Sequence, residues 1–109
     1  IVNELKKLPT VMYNSNGKPI IFDDRKRKET IFEHIANKKH HLYVRDIAII
    51  PKILRDKSSL HNDKKSHKFK NYYGKRSGKN KKPYLKIICK VEKNKPEIII
   101  TIYTVRKKD

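Results

Sequence analysis

Cysteine occurs once in the 109 residues, at Cys89, so the chain forms no intramolecular disulfide and carries no cysteine-based zinc site. Acidic residues are also scarce, with 11 Asp and Glu against 29 Lys and Arg. The few acids sit beside bases: Asp23 and Asp24 before Arg25, Asp46 after Arg45, Glu92 before Lys93. That pattern offers no convergent carboxylate pair for glycosidase or two-metal chemistry. HExxH, CxxC, GxSxG, P-loop and GxGxxG motifs are all missing, so neither a metal nor a cofactor is expected. The longest apolar stretch, Glu97–Val105, is far shorter than the about 20 residues that cross a bilayer, and no secretory signal pattern opens the chain.

What is present is positive charge. The formal net charge is +18, which favours a polyanionic partner: nucleic acid first, an acidic protein second, an anionic membrane third. The length fits one domain, residues 1–109. Hydrophobic residues are 36% and charged residues 37%, a balance that would suggest disorder if the apolar positions were scattered. They cluster instead in dense β-branched runs at 87–91 and 98–105, so a folded core is expected, with Cys89 a small core residue inside the first run. The chain begins at Ile1 rather than Met, which suits either a trimmed chain or a segment of a longer polypeptide.

Residues 1–8 read as a short amphipathic helix ended by Pro9, and residues 11–13 and 19–22 as a small β-hairpin around Asn14-Ser15-Asn16-Gly17-Lys18. Asp23 and Asp24 suit the N-cap of a helix over 25–39 with Ile31, Phe32 and Ile35 on its apolar stripe. A second helical segment spans 44–55, where Pro51 should kink or split it. Residues 57–67 read as a loop, 68–73 as a strand, and 74–82 as a flexible basic loop. Strands over 84–92 and 97–105 complete the order. Helices followed by an antiparallel meander give an α+β class, with the N-terminal helices packed on one face of a small antiparallel sheet.

Strand alternation predicts an apolar face of Leu85, Ile87, Cys89, Ile98, Ile100 and Ile102, with Lys86, Lys90, Thr101 and Tyr103 opposite. A face bearing Lys, Thr and Tyr is a candidate working surface. His, Lys, Arg and Tyr together suit metal-independent RNA cleavage: a base for the 2′-OH, cations for the phosphorane and an acid for the 5′-oxygen. Each residue also has a plain structural role open to it. His34 sits one turn from Ile31, His40 and His41 suit a helix C-terminus, and His61 and His67 lie in a charged loop where histidines are usually just solvated. Tyr73 equally suits surface packing on a sheet, and Thr101 and Tyr103 have strand propensity of their own.

Glu33-His34-Ile35, His40-His41, Asp46-Ile47 and Ile50-Pro51-Lys52-Ile53-Leu54 resemble the helical "HI…H…IP.IL" signature of the Barnase–EndoU–Colicin–RelE-like nuclease superfamily. Tyr84-Leu85-Lys86-Ile87-Ile88 and Ile100-Thr101-Ile102-Tyr103 are similar to its paired late strands. The resemblance covers residues 25–106 and implies a RelE-like fold with RNA cut on the sheet face opposite the helices. By position it makes His34 the general acid or base, with His40 or His41 a second candidate, and places Thr101 and Tyr103 in the cleft. The candidate RNA contacts are Arg45, Tyr73, Lys75, Arg76, Lys86, Lys90 and Arg106. The family branch further implies a toxin domain acting on RNA, with tRNA the expected substrate. Such a domain is exported within a larger cell-surface protein, acts in the target-cell cytoplasm, and is neutralised by an acidic immunity protein. Two competing readings stand beside it: a non-catalytic RNA- or DNA-binding module, and a cytoplasmic RelE-type toxin of a toxin–antitoxin pair acting on ribosome-bound mRNA.

Overall fold

The computed structural model describes residues 2–22, 35–36, 42–61 and 67–108. Helix α1 (Val2–Lys6) leads into the hairpin of β1 (Val11–Tyr13) and β2 (Pro19–Ile21). Asn14 ties its turn: the side-chain oxygen accepts from the backbone N–H groups of Asn16 at 3.0 Å and Lys18 at 2.9 Å. Gly17 completes the turn at φ +76°, a left-handed conformation that a side chain would strain.

Helices α2 (Val44–Ala48) and α3 (Ile50–Arg55) follow, then a 3-10 turn (Lys57–Ser59). Proline does split the segment. Pro51 falls in the first turn of α3, where its missing N–H leaves no helical bond unmade. The expected helix over 25–39 lies outside the described residues apart from Ile35 and Ala36, and Ile35 is fully buried.

Strands β3 (Leu60–His61), β4 (Phe69–Lys75), β5 (Tyr84–Lys90) and β6 (Glu97–Val105) join the hairpin in one six-stranded sheet of order β1-β2-β6-β5-β4-β3. The class is α+β, as expected. The sheet itself corrects the expectation of an antiparallel one. It is mixed, because β2 runs parallel to β6 with Ile20 opposite Glu97 and Ile21 opposite Ile98. The other neighbours are antiparallel, whereas β2 and β6 are distant in sequence and free to pair either way. Two boundaries also move. His61 and Leu60, read as loop, form an edge strand on β4, and Gly74 and Lys75 belong to β4 rather than to the basic loop.

The helices cover one face, where Leu5, Ile47, Ile50, Ile53 and Leu54 pack on Tyr72, Leu85, Ile87, Cys89, Ile99 and Ile102. The alternation read for β5 holds, with Leu85, Ile87 and Cys89 fully buried. In β6 it does not hold. Pairing runs Ile88–Thr101 and then Cys89–Ile99, so Ile100 is an extra residue and the strand carries a bulge. One added residue exchanges the faces of everything beyond it. Glu97 and Ile99 therefore point into the core while Ile98 lies exposed, correcting the inward assignment of Ile98 and Ile100. Ile98–Ile100 offers three identical β-branched residues, so no alternation marked the slip.

Two consequences are measurable. A Cβ at Gly74 would overlap the Ile53 side chain where α3 closes on β4. Gly74→Ala is expected to cost about 1–3 kcal/mol by overpacking, read as a lowered urea midpoint. Burial also pushes the Cys89 thiol well above its usual range. Cys89 is therefore expected to resist alkylation at neutral pH in the native protein and to react once the protein is unfolded in urea.

Candidate functional site

The face away from the helices carries a row of polar side chains set by strand register. Tyr73 on β4, Lys86 on β5 and Tyr103 on β6 are direct cross-strand partners. The Lys86 ammonium lies 5.4 Å from the Tyr73 ring centroid and 5.6 Å from that of Tyr103. Burial acts against its charge, but hydrogen bonds with Tyr73 and Tyr103 outweigh this and hold its pKa above the ordinary lysine value. Lys86 is thus a fixed cation at neutral pH, suited to neutralising phosphate and not to taking up a proton. His61 extends the row on β3, its ring edge-on to Tyr73 at 5.7 Å. Tyr73 is itself only 2% exposed, so it positions its neighbours, while His61 is open to solvent.

Thr101 shares this face beside the bulge. Its hydroxyl is buried and has no hydrogen-bond partner among the described residues. Lys90, further along β5, is exposed and pairs with Glu92 at 3.3 Å. Lys75 is exposed at the end of β4.

A second cluster lies at the end of the sheet where β4 stops, β5 starts and β6 ends. Arg76 is buried there and grips Asp46 with two bonds, Nε to Oδ1 and Nη2 to Oδ2, both 2.9 Å. Its Nη1 donates to the Lys82 carbonyl at 2.8 Å. Asp46 in turn accepts from the Tyr43 backbone N–H at 2.8 Å, so one carboxylate fixes both the start of α2 and the loop after β4. The Arg45 guanidinium sits 5.2 Å and that of Arg76 5.4 Å from the Tyr43 ring centroid. Arg45 also donates to Asn80 at 3.1 Å. Around this frame lies a cavity of about 400 Å³ lined by Tyr43, Arg76, Lys79, Lys81, Lys82 and Arg106.

Known proteins offer no guide to either cluster. The chain matches no family model, no curated protein and no solved structure.

Of the residues singled out in the sequence, the structure brings Tyr73, Lys86 and Tyr103 together, with Thr101 nearby. Arg45, Arg76 and Arg106 gather instead at the sheet end, where Arg76 is spent largely on Asp46. His34, His40 and His41 lie outside the described residues. Among the described residues no group of three His, Cys, Asp or Glu side chains comes together to hold a metal, and no helix is long and apolar enough to cross a membrane. Sequence reasoning passed over His61 as a loop residue and missed Tyr43. A Leu-His pair facing Asn71 and Tyr72 was the available signal for β3, but two residues are too few to show a period.

Proposed function

We propose that this chain is a ribonuclease domain that cleaves RNA by attack of the ribose 2′-OH on the adjacent phosphate, without a metal. The observation that carries this reading is the His61–Tyr73–Lys86–Tyr103 row on the sheet face opposite the helices. In the reaction the 2′-oxygen bonds to phosphorus and the bond to the 5′-oxygen breaks, leaving a 2′,3′-cyclic phosphate and a 5′-hydroxyl. Lys86 offsets the charge that builds on the phosphorane. His61 is positioned to take the 2′-OH proton or deliver one to the leaving 5′-oxygen. The second proton role falls to Tyr103 or to one of His34, His40 and His41. With +18 charge, an acidic immunity partner and a tRNA substrate belong to the same proposal.

The test is RNA cleavage by His61→Ala and His34→Ala beside the parent chain. A histidine that serves as base or acid is expected to account for about 10²–10⁴-fold in rate. If both variants cut at the parent rate, the roles given to His61 and His34 are wrong. A non-catalytic RNA-binding module is the second reading, favoured by the burial of Tyr73 and by the cations gathered away from the row. It predicts binding with no fragments.

A further inference from the structure

The basic cavity at the sheet end lies outside the row that the proposed chemistry uses. Its walls carry Lys79, Lys81, Lys82 and Arg106, and among the described residues none of these has an acidic partner. Arg76 is the one lining cation neutralised by a carboxylate. Four positive side chains facing one concavity repel each other, an arrangement that is relieved when an anion enters.

The loop that presents them is built, not loose. The Arg76 N–H donates to the Pro83 carbonyl at 2.8 Å, closing the loop at its base. Asn80 Nδ2 donates to the Ser77 carbonyl at 2.9 Å and to the Gly78 carbonyl at 3.3 Å. Gly78 takes φ +81°, with the Arg45 guanidinium against the site a Cβ would occupy. The backbone that carries the lysines is therefore ordered by folding, which meets part of the ordering cost of binding. At about 400 Å³ the space admits a phosphate with part of its nucleoside.

We infer that this cavity is a phosphate subsite for an RNA strand, distinct from the reacting row. The inference rests on the ribonuclease reading for its choice of polymer. The row of Tyr73, Lys86 and Tyr103 lies two residues from the last cross-strand set, Lys75, Tyr84 and Val105, which is about 7 Å along the strands. A strand leaving the row toward that end turns the corner of the sheet and meets the cavity within a few nucleotides. The subsite supplies affinity and register, and the row supplies the chemistry.

The experiment measures binding of a 2′-O-methyl RNA oligonucleotide, which cannot be cut by 2′-OH attack, as a function of salt. The double variant Lys81→Ala/Arg106→Ala is compared with the parent chain, and Lys7→Ala is the control for loss of a surface lysine, since Lys7 follows α1 and pairs with Glu4. Inorganic phosphate is the second probe, followed by chemical shifts. The double variant is expected to bind at least about tenfold more weakly, with a log–log salt slope shallower by about 1.4 for the two cations lost. Phosphate is expected to shift Tyr43 and Lys82 resonances in the parent and not in the double variant. If the double variant binds like Lys7→Ala, the subsite is wrong, whatever the parent chain does to cleavable RNA. If the double variant loses binding while the parent never cuts RNA, the subsite stands and the ribonuclease reading falls.

Discussion

Lys86→Ala is expected to lower the proposed RNA cleavage by about 10²–10³-fold while leaving the fold intact, because it removes the cation at the centre of the row proposed to react. The magnitude follows from the place of the charge. Lys86 stands between two phenols on the central part of the sheet, partly shielded from water, with its ammonium 5.4 Å from one ring centroid and 5.6 Å from the other. In the proposed reaction a cation in that place would act on the charge that develops in the phosphorane. Its raised pKa keeps it protonated throughout the neutral range, so its contribution should not titrate between pH 5 and 8. The same shift gives a sign for stability. The stabilisation from the Lys86 charge is present below the unfolded lysine value of 10.5 and fades as pH rises beyond it. Lys86→Met tests the role cleanly, since it keeps the apolar stem between the two rings. A cleavage rate within a few-fold of the parent would remove Lys86 from the chemistry.

Arg76→Ala is expected to be the most destabilising substitution among the polar residues, at about 3–5 kcal/mol, a large share of the 5–15 kcal/mol that usually holds a domain together. The cost comes chiefly from what is left behind. Asp46 is fully buried, and without the guanidinium its carboxylate retains only the Tyr43 N–H among the bonds described for it. The Lys82 carbonyl loses its donor as well, so the loop between β4 and β5 loses its anchor. Replacing both partners together, as in Asp46→Leu/Arg76→Met, should recover much of the loss, because no buried charge then stands alone. Urea denaturation of the two single variants and the double variant gives the coupling directly. Near-additive effects would mean that the pair is not the structural unit described here.

Much of this architecture was legible in the residues. The Asn-Ser-Asn-Gly turn, the split at Pro51 and the in-out pattern of β5 each follow from a local rule, and each is seen. The polar face was legible for the same reason, since Lys86 alternates with Leu85 and Ile87 in an unbroken strand. What escaped was non-local. The bulge at Ile100 sits in a run of isoleucines with no polar residue to reveal which side is wet, so the inward set came out as Ile98 and Ile100 instead of Glu97 and Ile99. Glu97, which the strand alternation left without a face, is fully buried and satisfied by Tyr72 at 2.8 Å and Asn14 at 3.1 Å, partners 25 and 83 residues away. Arg76 looked like one more cation of a basic loop. Its pairing with Asp46, 30 residues distant, turns it into the buttress of that loop.

The proposed chemistry is cleavage of RNA on the polar sheet face through the 2′-OH. The most direct test is to incubate the purified chain with cellular RNA in EDTA, beside a 2′-O-methyl substrate, and to identify the new ends. Discrete fragments ending in 2′,3′-cyclic phosphate are expected from natural RNA and none from the methylated strand. Intact RNA under conditions where the chain binds it, or fragments that appear only when a divalent metal is restored, would contradict this chemistry.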